Sequence, residues 1–155
     1  MKKTLIIILA IALIIPAMLC SCGDEKIVEP MSVIGSKAIE KRECEDDPVI
    51  YKAEDLEEEF GITPALYEDF YYSYAGDFVS VETIAVFKAA DGKASELEAK
   101  LKAEQQSLIS ESKNYNEKNY EMATNAKIKT VNGKYIYFVA SPTASEIVKV
   151  IEQYL

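Results

Sequence analysis

Four kinds of side chain in this sequence stand where they could do chemistry: a cysteine behind an apolar leader, a second thiol among carboxylates, one acid inside a strand pattern, and tyrosines at alternate strand positions. Cys22 comes first. Lys2 and Lys3 precede the apolar run Leu5–Ile15, Pro16 interrupts it, and Leu19-Cys20-Ser21-Cys22-Gly23 follows. A basic head, an apolar middle and a small residue before a cut site make an export signal. An aliphatic residue three places before a cysteine and a small residue directly before it make a lipidation box. Leu19 and Ser21 hold those places for Cys22, whereas Cys20 has bulky Leu19 directly before it. The sequence therefore predicts a signal peptide over 1–21, acyl chains such as palmitate on Cys22, and a place on the outer side of the cell membrane. A single chain holds weakly and two hold stably, and this modification supplies at least two. A spanning helix is a poorer reading, because Leu5–Leu19 falls short of the roughly 20 apolar residues required and Pro16 breaks it.

The other candidates are weaker. Once Cys20 leaves and Cys22 carries lipid, Cys44 is the remaining thiol, so no intramolecular disulfide forms. It lies between Glu43 and Glu45, and neighbouring carboxylates raise a thiol's pKa and blunt it as a nucleophile. The acids Glu43, Glu45, Asp46 and Asp47 lack the glycine turn and ligand spacing of a calcium loop. There is no histidine, which removes Ser-His-Asp and Cys-His catalysis and histidine-ligated metals. No metal and no cofactor is implied. Glu82 is the one acid within a strand pattern, and no partner carboxylate in an apolar setting accompanies it, as a glycoside-cleaving pair would require.

Charge narrows the partners. The chain has 17 basic and 26 acidic side chains, a net charge of -9. Residues 24–69 hold 15 of those acids against 5 bases, so the acidity lies next to the anchor. Such a segment is repelled by phosphate, which argues against nucleic acid.

Residues 22–48 show no sustained apolar period and read as a flexible acidic tether. Residues 49–155 read as one α+β domain. A short helix is expected over 53–60, with Glu54, Asp55 and Glu57 near its start and Gly61 as its stop. Thr63-Pro64 opens a further turn. Alternation at Phe70, Tyr72 and Tyr74 makes a strand, Ala75-Gly76-Asp77 a turn, and 79–89 a second strand whose Ile84-Ala85-Val86-Phe87 places apolar groups on both faces. Ala94, Leu97, Leu101, Gln105 and Leu108 stripe a helix over 93–113, with Lys93, Glu96, Lys100, Lys102 and Glu104 on its other side. Asn114–Asn119 reads as a polar loop. Strands near 125–131 and 134–140 meet at Asn132-Gly133, a tight-hairpin pair. Ser141-Pro142 leads into a last helix, where Thr143 and Glu146 suggest a capping box and Ala144, Ile147, Val148, Ile151 and Leu155 form the stripe. The order is a helix, then strand-strand-helix twice. That order predicts a four-stranded, mostly antiparallel sheet with the two long helices on one face.

The phrase Glu82-Thr-Ile-Ala-Val-Phe-Lys-Ala-Ala-Asp-Gly-Lys-Ala94, with Asn125-Ala-Lys-Ile128 and Tyr135-Ile-Tyr-Phe-Val139, resembles domain of unknown function 4358, a family of small lipoproteins of Gram-positive, mostly anaerobic bacteria. The resemblance covers about 49–155 and the leader. It implies the same α+β domain and the same location, and it brings no catalytic residue.

If helices cover one sheet face, the other is left to display Tyr72, Tyr74, Tyr135 and Tyr137. Tyrosine combines flat apolar area with a hydroxyl, which suits glycan or protein contacts; the same rings equally fill or edge a core. The functional expectation is a non-enzymatic, lipid-anchored binding module with an envelope protein or glycan as partner. The alternative is a small cell-wall accessory enzyme using carboxylates. A flat tyrosine face would favour the first, and a deep pocket with converging acids the second.

Overall fold

Apolar side chains fill consecutive positions in Ile84–Phe87 and Ile136–Val139, so both faces of those strands need cover. The computed structural model, which describes residues 28–43, 46–76 and 79–155, places helices on both sides of the sheet. The leader, Cys22 and Cys44 lie outside the described residues. The elements are α1 (Met31–Ile39), β1 (Val49–Ile50), α2 (Ala53–Phe60), a single 3-10 turn (Pro64–Leu66), β2 (Tyr67–Tyr74), β3 (Thr83–Ala89), α3 (Ala94–Ser112), α4 (Glu117–Thr124), β4 (Lys127–Val131), β5 (Tyr135–Ala140) and α5 (Ala144–Tyr154).

The strands form one antiparallel sheet in the order β1-β2-β3-β5-β4. Two points correct the expected four-stranded sheet. A short edge strand, β1, pairs Val49 with Tyr74 and Ile50 with Ser73. The long helices α3 and α5 also lie on opposite faces. Leu97, Leu101 and Leu108 of α3 pack with Tyr72, Ala85, Phe87, Ile136 and Phe138. Ile147 and Ile151 of α5 pack with Tyr71, Ile84, Val86, Tyr137 and Val139 on the other side. The reason is written in β3: with apolar groups alternating to both faces, a helical layer on one side would leave Ile84 and Val86 in water.

A further correction concerns the expected tether. Residues 31–39 form α1, which lies beside α5 and buries Met31, Ile34 and Ala38. Gly35 sits so close to β2 that a Cβ there would overlap the ring of Tyr71. The Met31 amide donates to Asp69 Oδ2 at 2.8 Å, which satisfies one of the unpaired N–H groups at the helix start. Asp69 stands at an irregularity in the β2–β3 register. Past α1, the Arg42 Nε donates to Glu82 Oε2 at 3.1 Å, and both side chains are almost fully buried. Ser141 Oγ donates to Glu82 Oε1 at 2.6 Å, and Thr143 Oγ1 donates to the Lys41 carbonyl at 2.6 Å. The segment 41–42 is therefore fastened to the start of α5. Thr143 is committed to this contact, and the expected capping box is not made.

The expected polar loop at 114–119 is also overturned in part, because α4 begins at Glu117. Asn116 caps it by accepting from the Asn119 amide at 3.0 Å, and Met122 and Ala123 are buried beneath α3. The sequence shows two adjacent apolar residues in an otherwise polar run, too few to display a helical period.

The β4–β5 turn agrees with its sequence. Asn132 and Gly133 both have positive φ, 52° and 68°, as a tight hairpin turn demands. Nothing lies within 4 Å of a Cβ built at Gly133, so a substitution there tests backbone strain alone. Gly133→Val should cost about 1–2 kcal/mol and Gly133→Asn almost nothing, read as urea midpoints. Equal midpoints for Val and the native glycine would contradict the turn.

Candidate functional site

The four tyrosines expected to share an exposed surface do not share a face. Tyr72 and Tyr74 belong to the α3 side, whereas Tyr135 and Tyr137 belong to the α1–α5 side. Tyr72 is fully buried and Tyr137 nearly so. Tyr137 Oη donates to Glu152 Oε1 of α5 at 2.9 Å; burial first, and then that bond, raise its pKa. Tyr74 and Tyr135 are half-buried. The expectation fails for the reason the predicted fold failed: both faces are covered, so neither is left to display rings. Glu82, the strand acid, lies just before β3 and is engaged by Arg42 and Ser141. Both of its carboxyl oxygens are taken up by these contacts.

The structure brings a different set together. Between α2, α3 and the outer end of β2 lies a cleft of about 630 Å³. One wall is aromatic. The Tyr51 and Phe60 rings stack with centroids 5.9 Å apart and planes 15° apart, and both press on Tyr72, at 5.0 and 5.3 Å. Tyr74 adds a fourth ring, 6.5 Å from Tyr51. Stacked and tilted rings of this kind attract one another beyond the area they bury. The polar lining comes from Glu59 of α2 and from Lys100, Glu104, Ser107 and Glu111 of α3. Lys100 is the one cation among these lining residues.

Glu104 is the anomaly. It sits within the stripe Leu97, Leu101, Leu108 that faces the sheet, and it is 6% exposed. Tyr72 Oη donates to its Oε1. Its Oε2 is buried with no partner. A buried carboxyl with one unsatisfied oxygen is costly, and the cost is met by keeping the proton. Burial pushes the Glu104 pKa from the ordinary 4.5 up to about 8; the Tyr72 hydrogen bond opposes the rise and the charge of Glu59 adds to it. The raised pKa keeps Glu104 chiefly as the neutral carboxylic acid at neutral pH, and the exposed Glu59 lines the same cleft. Glu59 accepts from Tyr51 Oη at 2.9 Å. Tyr51 in turn is held protonated, by burial first and then by that bond.

Sequence reasoning missed this site for a specific reason. Positions 104 and 105 flank the arc swept by Leu97, Leu101 and Leu108 on either side, and glutamate is ordinarily the residue turned to water. In the structure Gln105 is half-buried instead, donating from Nε2 to the Ala123 carbonyl of α4 at 2.9 Å. The signal that could have found Glu104 is the pairing of an in-stripe acid with a tyrosine facing the same helix.

Among the described residues, no group of three or more His, Cys, Asp or Glu side chains is placed to hold a metal ion. No described helix is long and apolar enough to cross a membrane.

These features define an α+β domain whose five-stranded antiparallel sheet is covered on both faces, with an aromatic-walled, acid-lined cleft at one side. The chain belongs to the family described as domain of unknown function (DUF4358), whose pattern matches residues 45–141. That span runs from before β1 to just past β5, so α1 and α5, the two helices of the second face, lie outside it. No curated protein and no solved structure matches the chain.

Proposed function

We propose that this chain is a lipid-anchored extracytoplasmic protein that binds a small ligand from the cell envelope in the α2–α3 cleft, without catalysis. The leader and its box support the anchor on Cys22. The observation that carries the binding role is Glu104, which lines the cleft while its Oε2 is buried without a partner. Folded chains rarely bury an unsatisfied carboxyl oxygen, and such a group calls for an explanation. An aromatic wall over a few convergent polar groups is the usual build of a ligand site.

One experiment reads both halves. Protein released from its own membranes in detergent is weighed intact under native conditions. The native chain should carry the mass of the acyl chains and of a bound small molecule. Cys22→Ala should abolish the lipid mass and membrane retention, and Glu104→Gln should abolish the small-molecule mass while keeping the lipid. Acylated Cys22→Ala would overturn the anchor, and a Glu104→Gln protein identical to the native one would overturn the cleft.

A carboxylate enzyme is the second reading, and one observation favours it. Burial raises the pKa of Glu104 in a cleft that Glu59 also lines, and a carboxyl kept neutral in a cleft with a second acid is the pattern of a general acid. Turnover of an envelope glycan that stops in Glu104→Gln would establish it.

A further inference from the structure

We propose that the cleft takes an organic ammonium ion, its charged head seated on Glu104 Oε2 and its body against Tyr51, Phe60 and Tyr74. This names the ligand class for the site above and rests on the cleft being a ligand site. Three features of the lining carry it. The first is charge: even with Glu104 neutral, Glu59 and Glu111 outnumber Lys100, which disfavours an anion. The second is the direction of the hydrogen bonds. Tyr51 and Tyr72 already donate into Glu59 and Glu104, and Ser107 Oγ donates into Glu111 Oε1 at 2.8 Å. The Tyr51, Tyr72 and Ser107 hydroxyls therefore spend their protons on the carboxyl groups, and what Glu59, Glu111 and an ionised Glu104 have left to offer a visitor is oxygen lone pairs. The third is the aromatic wall, since rings attract cations to their faces, most of all where water is excluded.

Seating the ion changes the charge on Glu104. The empty site holds a neutral acid, and an ammonium beside Oε2 stabilises the carboxylate through a charge-assisted hydrogen bond. The balance is simple. The O–H bond of Glu104 breaks, its proton passes to the buffer, and the ammonium N–H donates to the carboxylate left behind. A neutral ligand takes no such proton away. Tyr72 from β2 and Glu59 from α2 act on Glu104 directly, and Tyr51, Tyr74, Lys100 and Glu111 line the cleft with it. Of these, Lys100 opposes the ammonium and the two glutamates favour it.

Benzylammonium and benzyl alcohol are matched probes, equal in body and differing in the charged head. They are titrated at pH 7 into the chain from residue 22 onward carrying Cys22→Ala. The ring signals of Tyr51, Phe60 and Tyr74 are followed by NMR, and proton release is followed as the buffer dependence of the heat of binding. The expected result is at least tenfold tighter binding of benzylammonium, release of a large fraction of one proton per ligand, and loss of both effects in Glu104→Gln. Equal binding of the two probes, binding without proton release, or a Glu104→Gln protein that binds benzylammonium normally would overturn the ammonium seat while leaving the cleft a binding site. If neither probe moves the ring signals, the cleft itself is not a ligand site and both ideas fall together.

Discussion

A chain shortened to begin at Pro48 should lose at least about 5 kcal/mol of stability relative to the chain from residue 22, enough to leave a domain of ordinary stability marginal or unfolded. Two losses add. Removing α1 takes away the buried side chains of Met31 and Ile34, worth roughly 1.5–3 kcal/mol each. Removing Arg42 leaves Glu82 as a buried carboxylate without its cation, and breaking such a pair from one side costs about 3–5 kcal/mol. Urea unfolding followed by circular dichroism measures the sum. Adding Glu82→Gln to the shortened chain should recover part of the loss, because the stranded charge is then gone. Midpoints that agree for the long and short chains would return residues 22–48 to the role of an inert tether.

Glu104→Gln should make the protein more stable at alkaline pH and change it little in acid. The sign follows from linkage. The folded-state pKa of about 8 lies above the ordinary 4.5, so the native state holds a proton that the unfolded chain has already lost. Stability contributed by that proton is complete below about pH 4.5 and falls by about 1 kcal/mol for each pH unit up to about 8, where the loss levels off. Removing the titrating group removes the slope. At pH 8.5 the variant should be about 2–4 kcal/mol more stable than the native chain, and at pH 5 the two should agree within about 1 kcal/mol. Glu68, Glu98 and Glu152 shift the other way, chiefly through hydrogen bonds to Lys134, Lys102 and Lys129 respectively. Their contributions are present above the unfolded carboxylate pKa and vanish as pH falls through their lowered values, outside the window where Glu104 acts. Parallel pH curves for the two proteins would mean that Glu104 is ionised in the fold.

The strands, the hairpin turn and the long helices were legible because each rests on a local signal: alternation at 70–74, Asn132-Gly133, the stripes beginning at Leu97 and at Ala144. The layering was legible in part. Ile84–Phe87 places apolar groups on both faces, and followed through, that observation excludes a sheet with one bare face. What escaped was tertiary. Helix α1 carries Met31, Ile34 and Ala38 at helical spacing, but over nine residues among charges that pattern is short, and what holds the helix is the far contact with Asp69, Tyr71 and α5. The candidate site escaped for a related reason. Glu104 looks like any glutamate on an amphipathic helix until Tyr72, 32 residues away in sequence, is set against it. Tyr72 and Tyr74, both candidates from the sequence, do reach the site, one as its buried support and the other as its rim.

The most direct test of the binding site is the titration of Glu104 itself, read from the carbon resonance of its side-chain carboxyl in the native chain and identified by its absence in Glu104→Gln. The expected midpoint is near pH 8, moving down when benzylammonium fills the cleft. A midpoint at the ordinary value of 4–5, unmoved by the probe, would contradict a neutral carboxyl held ready at the floor of the cleft.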